Sequence, residues 1–157
     1  MQTAEDIVRM KNNEIISVSP QATIAEALQT MVTHKIGAVL VMDAGLIVGI
    51  WTERDLMRNT LLEGFDPQRA SIGDHMVKEV AFAAYDETIY ELMDKFLGLR
   101  LRHLPVEKEG EFIGLLSIGD VLKASLYEKT EELEKLNGMV SWAYYEEWRW
   151  DAEGVRA

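Results

Sequence analysis

The chain has no cysteine, so a disulfide, a thiolate nucleophile and a Cys-ligated metal are all excluded. Histidine is sparse: His34, His75 and His103 lie far apart, and none has the i, i+4 partner that places two zinc ligands on one helix face. No metal is expected. Cations are also short, with 16 Lys and Arg against 27 Asp and Glu for a net charge of −11. A polyanion such as nucleic acid is therefore not an expected partner, because binding along a phosphate backbone needs clustered basic residues. A single nucleotide in a local basic pocket remains open. No run reaches the ~18 apolar residues of a membrane helix. The acidic N-terminal stretch MQTAEDIVRMKNNEI does not have the make-up of a signal peptide. The expectation is a cytoplasmic protein with no membrane attachment.

What is present is ordinary for a globular chain: 157 residues, 48% hydrophobic and 27% charged, enough for one domain or two small ones. The sequence also matches itself. At an offset of 65 residues, positions 14–58 and 79–123 share 8 of 45 identities without a gap, including Thr23/Thr88, Glu26/Glu91, Gly45/Gly110, Gly49/Gly114 and Asp55/Asp120. Chance at average composition gives about 3. Conservative pairs, among them Lys35/Arg100, Val48/Ile113 and Thr52/Ser117, strengthen the match.

Each copy has the same local grammar. A short extended run, EIISVS or EVAFAA, precedes TIAEALQTMV or TIYELMDKFL. Both of these open with Thr-x-x-Glu, a capping box, and place Ile24, Ala27, Leu28 and Met31, or Ile89, Leu92, Met93 and Phe96, at helical spacing. Two β-rich runs follow, joined by a short connection containing Gly45 or Gly110, which is a hairpin signal. A second helix begins at Glu53 or Ile118. The predicted unit is β-α-β-β-α, twice, in the α+β class, with the two copies packed through their sheets about a pseudo-two-fold axis. The expected organisation is a first repeat over 5–62, a linker over 63–71, a second repeat over 72–127 and a helical, acidic, aromatic-rich tail over 128–157.

The chemistry concentrates where each copy ends, at Gly49-x-x-Thr52-x-x-Asp55 and Gly114-x-x-Ser117-x-x-Asp120. One reading is a helix cap, because a hydroxyl and a carboxylate at this spacing satisfy the first N–H groups of a helix. The other is a ligand contact. The first helix of each copy uses the longer Glu to reach back to the cap, whereas the shorter Asp occurs only after Gly-x-x, which favours ligand contact. A carboxylate at a helix start is a two-oxygen acceptor suited to a vicinal diol. It would repel phosphate, so a nucleotide would lie with ribose at the Asp and phosphate toward basic groups. The base, adenine on the resemblance drawn next, would then rest on the first strand of each copy, against Ile16 and Val18 or Ala81 and Ala83.

These stretches, together with Arg102-His103-Leu104-Pro105-Val106, resemble tandem cystathionine-β-synthase (CBS) domains arranged as a Bateman module, over roughly residues 5–126. The resemblance implies a stand-alone, bacterial-type regulatory protein, not an enzyme, that binds AMP, ADP or ATP, with S-adenosylmethionine as a further candidate, in clefts between the repeats and pairs into a homodimer. It implies that Asp55 and Asp120 take ribose hydroxyls, that Thr52 and Ser117 contact ribose or phosphate, and that Arg102 and His103 bind phosphate. The first copy has Gly37 and Ala38 at the Arg-His positions, leaving Lys35, and His34 beside it, as its cations. Asp120's cleft is thus expected to be the stronger phosphate binder. Arg102 could equally be an exposed ion-pair partner, and His103 a partly buried strand residue. No nucleophile–base pair or phosphate-cradling glycine loop points to catalysis.

Outside the repeat, Leu126, Leu133, Leu136, Val140, Tyr144 and Trp148 continue a helical spacing, which Asn137-Gly138 could interrupt. Trp142, Tyr144, Tyr145, Trp148 and Trp150 crowd into nine residues. This segment is expected either to pack across the module or its dimer partner, or to dock another protein.

Overall fold

A computed structural model describes residues 1–11 and 14–137. The elements run α1 (Ala4–Lys11), β1 (Ser17–Val18), α2 (Ile24–His34), β2 (Ala38–Asp43), β3 (Leu46–Thr52) and α3 (Glu53–Asn59). They continue with α4 (Ile72–His75), β4 (Ala83–Ala84), α5 (Ile89–Leu99), β5 (His103–Lys108), β6 (Glu111–Ser117) and α6 (Ile118–Asn137). The predicted β-α-β-β-α unit is present twice, each time preceded by a helix that the spacing did not reveal. Much of the tail, residues 138–157 with all five clustered aromatics, lies outside the described residues.

Thr23 and Thr88 close complete capping boxes with Glu26 and Glu91, so α2 and α5 start where Thr-x-x-Glu places them. Both end on a left-handed residue, Lys35 (φ 54°) and Arg100 (φ 53°), which turns the chain sharply into the next strand. Each repeat forms a three-stranded sheet, ordered β1-β2-β3 or β4-β5-β6, with the first pair parallel and the second antiparallel. The hairpins turn on Ala44-Gly45 and Glu109-Gly110, all four residues at positive φ. That is the two-residue turn whose twist matches its strands. Register shifts at Val41/Met42 and Val106/Glu107 fall at equivalent places, so the pseudo-symmetry extends to the bulges.

There are two cores, and the short helices cross between them. Ile24, Ala27, Met31, Val39, Val41 and Trp51 enclose the first core with Ile72 of α4. The second is built on Ile89, Leu92, Phe96, Leu104, Val106 and Leu116, and it takes in Ala4 and Ile7 of α1. Backbone hydrogen bonds fix the exchange: Ala4 N–H donates to Glu87 O (2.8 Å) and Glu5 N–H to Tyr85 O (2.9 Å). Ile72 and Gly73 do the same to Ala22 O and Pro20 O (2.8 and 2.9 Å). Each repeat is therefore completed by the helix that precedes the other in sequence. The linker is also docked, since Ala70 O and Pro67 O accept from Ile24 N–H and Ala25 N–H (both 2.9 Å), donors at the start of α2 that have no partner within the helix.

Glycine makes these crossings close. A Cβ on Gly114 would stand 2.5 Å from Val8 Cγ1 of α1, and one on Gly49 2.4 Å from Met76 Sδ just after α4. The glycine of each Gly-x-x-Ser/Thr-x-x-Asp motif thus lets the crossing segment lie against β3 or β6. Symmetry ends after that contact. α4 stops at His75, and Val77 exchanges backbone hydrogen bonds with Ile50 (2.9 and 3.0 Å), whereas α1 runs on to Lys11.

A candidate ligand cavity between the repeats

Thr52 and Ser117 sit where an extended strand becomes a helix. In the first repeat Asp55 N–H donates to Thr52 Oγ1 (3.3 Å), while Asp55 Oδ2 accepts from Thr52 N–H (2.9 Å) and Thr52 O–H (3.0 Å). The second repeat repeats this at 3.1, 2.7 and 2.8 Å between Ser117 and Asp120. The shorter carboxylate does reach back to the cap, so length does not separate Asp from the Glu of α2 and α5. Both motifs are complete capping boxes. The extended cap residue brings its own N–H close enough for a short side chain.

Capping uses one carboxylate oxygen. Asp55 is 8% exposed, and its other oxygen, Oδ1, lies 3.6 Å from the Arg58 guanidinium on the same helix. On Asp120, Oδ2 also accepts from Lys11 Nζ (2.7 Å), and Lys11 Nζ donates in addition to Leu115 O (3.1 Å). Asp120 Oδ1 receives no hydrogen bond from the described residues.

Beside Ser117 lies a cavity of about 270 Å³. Its wall mixes the repeats: Ile16, Lys35, Gly37 and Ala38 come from the first, His103 and Ser117 from the second, and Lys11 from the end of α1. Among the described residues, Glu14 is its one lining carboxylate. Lys35 was expected on the Asp55 side. It lies instead with Ser117, because the left-handed turn after α2 delivers residues 35–38 to the opposite repeat. His103 lines the cavity as the register partner of Ser117 across β5 and β6. Its imidazolium is disfavoured, its pKa falling below the usual value chiefly through burial, with Lys11 and Arg102 adding to the effect and Asp120 opposing it.

Other expected contacts are not brought together here. Arg102 is exposed just before β5 and does not line the cavity; its repeat equivalent, Gly37, does. His34 is exposed and donates through Nδ1 to Thr30 O of its own helix (2.9 Å). Ala83, at 0% exposure, belongs to the second core, and Val18 and Ala81 pack on the first and second cores. None of these three lines this cavity, so Ile16 is the one proposed adenine contact that reaches it. Sequence reading missed Lys11 and Glu14. The available signal was Gly114, a strand glycine that marks close approach by another segment. Among the described residues, no three His, Asp or Glu cluster to hold a metal ion.

Two α+β repeats, each closing on a capped Gly-x-x-Thr/Ser-x-x-Asp, with a cavity walled by both, define a paired-repeat module. The chain belongs to the CBS-domain family, whose model matches residues 4–61 and 72–127. It is 33% identical over 127 residues to the mitochondrial CBS domain-containing protein CBSX3 of Arabidopsis thaliana, covering 78% of this chain and 62% of that protein. The crystal structure of a CBS-domain containing protein from Agrobacterium tumefaciens superposes with a TM-score of 0.75 at 39% identity, over 79% of this chain and 99% of that one. CBSX2, solved in complex with AMP, shares the fold with a TM-score of 0.69 at 24% identity, over 82% of this chain and 99% of its own.

Proposed function

We propose that this chain is a regulatory module that binds an adenine nucleotide in the cavity beside Ser117 and converts occupancy into a change in its pairing or partner contacts. The observation that carries this reading is the composition of one cavity: an apolar surface at Ile16, the ammonium groups of Lys35 and Lys11, and Ser117 line a single space, with the Asp120 carboxylate held next to it by Lys11 and Ser117. Ribose hydroxyls would donate to Asp120 Oδ1, adenine would rest on Ile16, and the 5′-phosphate would face Lys35. At about 270 Å³ the cavity is near the lower end of small-molecule sites, roughly 300–1,000 Å³, which suits AMP better than ADP or ATP. The same fold holds AMP in CBSX2. On the other side, Thr52 and Asp55 would form the companion cleft with Arg102, the repeat equivalent of the cavity-lining Gly37. Calorimetric titration of AMP, ADP, ATP and S-adenosylmethionine tests the reading. Saturable AMP binding that Asp120→Ala abolishes supports it; no binding of any of the four up to about 1 mM overturns it.

The module would pair with a second copy through α3 with the turn that follows it, and α6. Met57 and Leu61 of the first repeat (70% and 87% exposed) match Leu122 and Leu126 of the second (51% and 46%), giving two equivalent apolar faces. Such faces suit a two-fold interface. Native mass spectrometry should find dimers for the natural chain and monomers for Leu61→Glu/Leu126→Glu. Residues 128–157 would offer a docking segment to another protein, tested by partner capture with and without them.

A further inference from the structure

His103 is a hydrogen-bonding side chain that the fold itself leaves unused. It lines the cavity as the register partner of Ser117, and neither ring nitrogen hydrogen-bonds a described residue. Its repeat equivalent is Ala38, so the pseudo-symmetry supplies an imidazole from one repeat and a methyl group from the other. The charges around the ring come from every element that meets there. Lys11 of α1 and Lys35 of the turn after α2 line the same cavity, and Arg102 precedes His103 in the chain; Asp120 of α6 and Glu14 before β1 oppose them. Three cations thus stand against two carboxylates. Those two are weak counterweights, because Asp120 is already paired with Lys11 and Glu14 is exposed and screened. Partial burial acts in the same direction, so the imidazole is neutral in the free protein at pH 7. A phosphate would reverse this balance. A space of about 270 Å³ is about 8 Å across, so a dianion anywhere in it lies within roughly one Debye length of His103. It would favour the imidazolium and offer an acceptor to the second ring N–H.

We infer that His103 couples ligand binding to proton uptake: the ring is neutral in the free protein and becomes an imidazolium when a nucleotide's phosphate enters, so the cavity holds its ligand more tightly as pH falls from 7.5 toward 6. This rests on the ligand reading above and adds to it a regulation of that site by pH. An opposite charge at this range should raise the proton affinity of the imidazole about tenfold. By linkage, the proton then strengthens nucleotide binding by the same factor at the acid limit.

The test follows the imidazole Cε1–H NMR signals of His34, His75 and His103 against pH in the natural chain, without AMP and with AMP at saturation. The signal missing from His103→Gln identifies His103. With AMP its titration midpoint should move up, by about tenfold in proton affinity, while His34 and His75, which do not line the cavity, keep theirs. In calorimetric titrations, AMP binding should tighten about threefold more between pH 7.5 and 6.0 in the natural chain than in His103→Gln, a comparison that cancels the titration of the phosphate itself. An unmoved His103 midpoint, or the same pH dependence of affinity in both chains, overturns the inference while leaving the AMP site standing. If the natural chain binds no AMP at either pH, the reading of the cavity falls and this inference falls with it.

Discussion

Truncating Ile7 to alanine should loosen the second repeat, although Ile7 is joined in sequence to the first. Ile7 is 4% exposed and belongs to the core containing Ile89, Leu92, Phe96 and Leu116. Buried Ile→Ala changes cost about 2–5 kcal/mol, and α1 is a helix of 8 residues near the chain terminus that can settle into part of the space, so about 3 kcal/mol is expected. For a chain of this length that corresponds to a melting-temperature loss of roughly 6–12 °C. Location is the sharper readout. Hydrogen exchange by mass spectrometry should show protection lost in α5, β5 and β6 while α2 and β2 keep theirs. The matching change on the other side, Ile72→Ala, should reverse the pattern, since Ile72 is fully buried in the first core. Loss confined to the first repeat in Ile7→Ala, or spread evenly over both, would refute the crossing of the helices.

Gly114→Ala should destabilise by about 1–3 kcal/mol, because the new methyl would fall 2.5 Å from Val8 Cγ1; Val8→Ala should recover part of that loss, and a double-mutant denaturation cycle measures the coupling. His103 makes stability depend on pH in a defined direction. Its folded pKa lies below the ordinary 6.5, so its contribution is complete above about pH 6.5 and is lost as pH falls toward the lowered value, where the unfolded chain holds more protons. Urea midpoints at pH 7.5 and 5.5 should therefore differ less in His103→Gln than in the natural chain.

The repeat made the strands, the hairpins and the four main helices legible, because apolar spacing and Thr-x-x-Glu act within one segment. Gly45 and Gly110 marked the turns for the same reason: positive φ is a local demand. What spacing could not show was the exchange of α1 and α4, a choice between two similar cores made by contacts such as Val8 on Gly114. The site divides along the same line. Ser117, His103, Lys35 and Ile16 do reach one cavity, but the sequence grouped Lys35 with its own copy's Asp55, and only the folded arrangement delivers it to the other. Val18 and Ala83 do not line that cavity: on such short strands sequence alone does not fix which face meets the core, and Ala83 is buried in the second core while the partly buried Val18 packs against the first. The Asp-for-Glu substitution in the caps carried no information about ligand by itself, since Asp55 and Asp120 close their capping boxes fully.

The claim that the ligand site is shared by both repeats is tested most directly by following backbone amide NMR signals as AMP is added. The account predicts that Ile16 and residues 35–38 shift together with His103 and Ser117 in one saturable transition. Shifts confined to a single repeat, or none as AMP approaches about 1 mM, would contradict it.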